Sequence, residues 1–132
     1  MDKTLWAVIA LLAISARASA HHEFAAEYDE KSIVTITGTV SSFKWTNPHT
    51  WLYLDGNDAG GKPVRWAFEL GSPSGLVSRG WTKGELKKGD HVTVEGYGAK
   101  KKNNSANART ITLPDGRKLF GGFKDTPGNP YK

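Results

Sequence analysis

The chain contains no cysteine and a single methionine in 132 residues. The first absence excludes a disulfide framework, a thiolate metal site and a cysteine nucleophile. Its longest apolar run, Leu5 to Ile14, is ten residues, about half of what a membrane-spanning helix requires. No phosphate-cradling glycine-rich motif is present. Gly71-Ser72-Pro73-Ser74-Gly75 sets a serine between glycines without the spacing of a nucleophile elbow, and a proline follows it. Asp55-x-Asn57-x-Ala59-Gly60 opens like a calcium loop, yet its twelfth position is Trp66 where a bidentate glutamate is needed. Nothing in these residues argues for catalysis, and the expectation is a protein that is not an enzyme.

What the chain has begins with an address. Lys3 supplies a positive start, Leu5 to Ile14 an apolar stretch, and Ala18-Ser19-Ala20 the small-x-small pattern of a signal-peptidase site. Residues 1–20 are therefore expected to be a cleaved signal peptide, the alternative being an uncleaved anchor. Removing Lys3, Arg17 and Asp2 from 18 basic and 13 acidic residues leaves 16 and 12, a net charge of +4. The location expected is periplasmic or secreted, with no transmembrane segment in the mature protein. There, nucleic acid is not an expected partner, and the positive charge points to an anionic lipid, a polysaccharide or nothing specific. Residues 21–120 suffice for one domain without staples.

Alternation of period two runs from Val34 onward. Val34, Ile36, Gly38 and Val40 share a face, but Phe43 and Trp45 fall on the opposite parity, which predicts a bulge or bend between them. Thr46-Asn47-Pro48-His49 reads as a turn. Further strands are expected at Thr50 to Asp55, Val64 to Leu70, His91 to Tyr97 and Arg109 to Leu113, with a last short one at Arg117 to Phe120. Ser72 as N-cap, Pro73 at the first helical position and Gly80 as a stop predict one short helix. The fold class expected is mainly all-β: a small OB-like five-stranded barrel with one short helix between strands 3 and 4. An open sandwich or meander is the alternative. Residues 121–132, with three glycines and two prolines, read as a flexible tail.

Several segments look familiar together: His21-His22-x-Phe24, Trp45-Thr46-Asn47-Pro48-His49, Gly71-Ser72-Pro73, and Arg79-Gly80-Trp81-Thr82. Gly89-Asp90-x-Val92-x-Val94-x-Gly96 and Leu113-Pro114-Asp115-Gly116-Arg117-Lys118-Leu119-Phe120 complete the set. In this order they resemble a family of small exported bacterial proteins known as a domain of unknown function. The resemblance implies a periplasmic single-domain β-protein and carries over no catalytic residue.

Two constellations remain as candidate sites. Cleavage after Ala20 would free the α-amino group of His21, which with its own imidazole can chelate one metal ion. His22 adds a second imidazole and an amide nitrogen that Cu(II) can deprotonate, and nitrogen-rich tetragonal sites suit copper. His49 in the turn between the first two strands is the candidate third imidazole, with Glu23 or Asp29 as oxygen donors. The bland reading is a solvated N-terminus, with His49 capping its turn and His91 lying on the surface. The second constellation is aromatic. Trp45, Trp51, Tyr53 and Trp66, walled by Lys100, Lys101 and Lys102, form a candidate face for a periplasmic oligosaccharide, peptide, anionic lipid or partner protein. Its bland counterpart is aromatic packing beside a solvated lysine loop.

Overall fold

The computed structural model describes residues 24–131. The expected signal peptide, His21 and His22 lie outside them. A helical turn at residues 24–27, which was not expected, leads into six strands. These are β1 (Tyr28–Lys44), β2 (Trp51–Asn57), β3 (Pro63–Glu69), β4 (His91–Ala99), β5 (Ser105–Thr112) and β6 (Lys118–Phe120). One short helix, α1 (Pro73–Val77), lies between β3 and β4. The mainly β class and the position of that helix are as expected.

The strands form one sheet in the order β3-β2-β1-β4-β5-β6, and β3 also pairs with β5. Strands 1, 2, 3, 5 and 4 thus close a ring of hydrogen bonds, antiparallel except at the parallel β3–β5 seam. β6 hangs on β5 outside the ring. Closure leaves fewer unpaired strand edges than an open meander would.

The predicted phase change in β1 is a bulge. Register against β2 shifts between Val40, opposite Leu54, and Ser42, opposite Tyr53. Each side of the bulge now sends its large residues inward, and Val40 and Phe43 reach the same core. At mid-strand, Gly38 allows a close approach: a Cβ there would lie 2.6 Å from the Asp55 carbonyl oxygen. The interior holds Leu52, Leu54, Phe68, Leu70, Leu76, Trp81, Val94 and Ile111, each at most 1% exposed. Trp81 anchors the helix–β6 side, and its indole N–H donates to the Phe120 carbonyl at 2.8 Å. α1 starts where Ser72 Oγ accepts from Gly75 N–H, has Pro73 in its first turn, and contributes Leu76 to the core.

Several boundaries differ from expectation: β1 begins at Tyr28 rather than Val34, and the ends of β2, β3 and β4 shift by one or two residues. β5 begins at Ser105 rather than Arg109, because Ser105-Ala106-Asn107 form the seam with Ala67-Phe68-Glu69. Small residues are required there: Ala106 and Ala108 are fully buried, and Gly96 faces the Asn107 carbonyl too closely for any side chain. The chain after Phe120, read as a tail beyond the domain, lies against its outer surface. Phe123, Thr126 and Asn129 are buried, and Thr126 Oγ1 donates to Asn107 Oδ1 at 2.7 Å. The physical reason is a lock of polar and aromatic groups that composition conceals beneath glycine and proline.

Candidate functional site

Outside the ring, over β3, β4 and β5, sits a second cluster made of Phe24, Tyr28, Tyr97 and Phe123. Phe24 from the helical turn meets Tyr97 edge-on at 5.4 Å and Tyr28 at 5.8 Å between ring centroids. Tyr28 packs against Phe123 at 6.4 Å. Every polar tip has a partner. Tyr97 O–H donates to the Pro127 carbonyl at 3.0 Å and accepts from Arg109. Tyr28 O–H donates to Glu69 Oε1 at 2.8 Å.

Glu69 connects this cluster to His49. It ends β3 opposite Trp51 of β2, on the outward parity, while the neighbouring Phe68 and Leu70 point inward and are fully buried. Its second oxygen, Oε2, lies 3.1 Å from His49 Nδ1. Because an ionised carboxylate only accepts, this hydrogen bond selects the tautomer with its proton on Nδ1, which in a neutral imidazole directs the Nε2 lone pair away from Glu69. The His49 ring stacks on Phe123 at 4.4 Å with an interplanar angle of 19°. Side-chain exposures of 23% for His49 and 16% for Glu69 place the pair at the edge of solvent. The loop that carries His49 turns through a cis Asn47–Pro48 peptide and is tied by Thr46 Oγ1 donating to the His49 carbonyl. His49 is thus held by a carboxylate on one side and an aromatic face on the other. Such an arrangement fixes the ring plane, as the supports of a metal-ligating imidazole do in general. Burial raises the Tyr28 phenol well above its ordinary range, and the Glu69 charge and hydrogen bond add to the shift. Tyr28 therefore remains a donor to Glu69.

His49 also lines a cleft of about 330 Å³ with Gly71, Ser72, Arg79, Phe123 and Lys124. Among the described residues no group of three or more His, Cys, Asp or Glu side chains is arranged to hold a metal ion. A three-ligand site of such side chains at His49 would need donors from beyond them, and His21 and His22 stand three and two residues before Phe24.

The aromatic candidates divide. Trp45 and Trp66, both named for the candidate face, are partly buried and pack against the interior cluster. The cause is parity: Trp66 pairs with Leu54 on the face turned inward. Trp51 and Tyr53 are outward and half-buried, stacked at 6.4 Å and 23°. Lys44 Nζ stands 5.4 Å from the Tyr53 ring centroid. Lys100, Lys101 and Lys102 are exposed in the β4–β5 connection. Lys100, however, is engaged with the N-terminal turn, donating from Nζ to the Ala25 carbonyl and from its backbone to the Glu27 carbonyl. His91 is exposed, as expected. Sequence reasoning missed Tyr28, Glu69 and Phe123 as partners of His49.

Fold and site together define a small β-ring protein whose outer aromatic cluster holds a histidine–carboxylate pair. A model of the Family of unknown function (DUF6152) matches residues 9–108, and the chain belongs to that family. No curated protein matches it. Among the described residues no helix is long and apolar enough to cross a membrane.

Proposed function

We propose that this is an exported, non-enzymatic protein that binds Cu(II) through the mature N-terminus. His21 contributes its α-amine and imidazole, and His49 completes the site from the domain. His22 is a further candidate donor. One observation carries the reading: His49 is held through Nδ1 by Glu69 and stacked on Phe123, in contact with the cluster that buries Phe24. Phe24 is three residues beyond His21, and three residues of extended chain reach roughly 10 Å. Copper fits the donor chemistry, since amine and imidazole nitrogens favour Cu(II) in the affinity order of divalent metals. Glu69 would act as the outer partner that fixes the ring and raises its basicity.

A copper titration of the mature protein beginning at His21 tests this. One-to-one binding should weaken strongly in His49→Ala and in a variant with one residue added before His21. Glu69→Gln should weaken it by about 10–100-fold, the usual effect of losing such a partner. Weak binding indifferent to His49 would reduce the N-terminal pair to an adventitious chelator.

A second reading is supported by the outward Trp51–Tyr53 stack. Tyr53 borders a shallow groove of about 680 Å³ that includes Ser42, Lys44 and Arg65. Flat aromatic faces flanked by charged groups suit an oligosaccharide, a peptide or a partner protein. Ligand screens comparing the intact protein with Trp51→Ala would discriminate this module from the metal reading.

A further inference from the structure

The cleft beside His49 contains a charge that the rest of the molecule treats differently. Three of the described arginines face carboxylates: Arg65 meets Asp55, Arg109 meets Glu95, and Arg117 meets Glu85 and Asp115. Arg79 has no carboxylate within ion-pair distance among the described residues. Its surroundings are nonetheless fixed. Nη1 donates to the Gly122 carbonyl at 2.7 Å, and the guanidinium lies 5.2 Å from the Phe120 ring centroid. Burial is the main influence on this group, and it acts against the charged form. A guanidinium partly removed from water and lacking a counter-charge is costly to maintain, and one pinned by a carbonyl and an aromatic face has little left to lose in ordering.

The space it borders has both apolar and polar walls. Ser72 and Lys124 share the cleft wall with Arg79, and Phe123 and His49 form its apolar side. One acid, Asp125, also borders it.

We propose that this cleft binds a small oxyanion, a carboxylate or a phosphate, on the Arg79 guanidinium, with Lys124 and the Ser72 hydroxyl as further donors. The planar fork of arginine matches two oxygens of either anion. Lys124 adds an exposed charge at the mouth, and Asp125 opposes the anion. The site requires no metal.

The test is an amide-resolved NMR titration of the metal-free, full mature protein at constant ionic strength. Sodium phosphate is added in one arm and sodium acetate in the other, so that the arms separate the two chemistries. Saturable shifts at Ser72, Arg79 and Lys124, in either arm, are expected. Arg79→Gln should weaken binding at least about tenfold, the loss of one charge-assisted contact. Arg79→Lys should restore only part of it, and Asp125→Asn should tighten it. Lys124→Gln alters an exposed residue and should weaken binding severalfold even if Arg79 variants fold poorly. Non-saturating shifts in both arms, or affinity unchanged in both Arg79→Gln and Lys124→Gln, would overturn the proposal. Because metal is absent throughout, its failure leaves copper binding by His21 untouched, and the converse holds.

Discussion

The ring interior and the outer aromatic cluster are both buried, yet they are built by opposite rules. The interior around Leu52, Phe68, Leu76 and Ile111 is apolar, and among the described residues no Asp, Glu, Lys, Arg or His is buried. Its fully buried Trp81 indole is satisfied by a backbone carbonyl. The outer cluster of Phe24, Tyr28, Tyr97 and Phe123 is smaller and is wired to charges at its margins. Tyr28 engages Glu69, Tyr97 engages Arg109, and Phe123 lies under His49. An apolar interior specifies a fold through volume alone. A wired cluster specifies where particular atoms sit, because each hydrogen bond has a direction. The first makes the ring, and the second uses both ends of the described chain to hold one imidazole.

The comparison can be broken most forcefully from inside. Phe68→Ala removes a fully buried ring and should cost about 3–5 kcal/mol, a large share of the stability of a domain this size. Urea denaturation checks it, and all probes should report the loss together. Phe123→Ala should cost less, about 2 kcal/mol, because the cluster can relax toward solvent. Its signature is selective. Amide exchange should accelerate at residues 24–27 and 123–129 while β2 and β4 stay protected, and copper affinity should fall with it.

Tyr28→Phe sharpens the contrast through pH. Folding raises the Tyr28 phenol above its ordinary value of about 10, so the native state retains a proton that the unfolded chain releases. That stabilisation is complete below pH 10 and is lost as the pH climbs beyond it. The variant should flatten the alkaline decline in stability, at a cost of about 1 kcal/mol near neutrality. The smallest effect has the opposite sign. Thr50 is fully buried, and its hydroxyl lacks a partner among the described residues. Thr50→Val keeps the shape and should stabilise the protein by about 1 kcal/mol or less, read as a rise in the urea midpoint.

The two regions were also unequally legible in the sequence. Interior strands announce themselves by alternation, and the bulge near Ser41 by its change of phase. The beginning of β5 was hidden, since Ser105-Ala106-Asn107-Ala108 lacks the β-branched and aromatic residues that mark strands. It is a strand because ring closure demands small residues at the seam. His49 was legible as a candidate through its residue type, but its supports were not. Glu69 is an ordinary acid at a strand end, and Phe123 sits among glycines and a proline that suggest disorder. Only the sheet register brings them together, and no local spacing encodes a contact made across three strands. Trp66 carries two signals at once: its alternation with Phe68 and Leu70 marks the inward parity on which it packs, while its residue type marks a candidate face.

The parallel seam has a consequence in time. Glu69 and Asn107 are 38 residues apart in the chain, and β3 pairs with β5 although β4 lies between them in sequence. Pairings this distant make folding slow, in the millisecond-to-second range for comparable topologies. The outer cluster draws on residues 24 and 123, and through Tyr28 on Glu69 of β3, so its complete set of contacts needs both ends of the described chain. A nascent chain would therefore lack the full support of its imidazole until Phe123 has been made, and a half-folded molecule would carry the histidine without the stack and hydrogen bond that fix its ring.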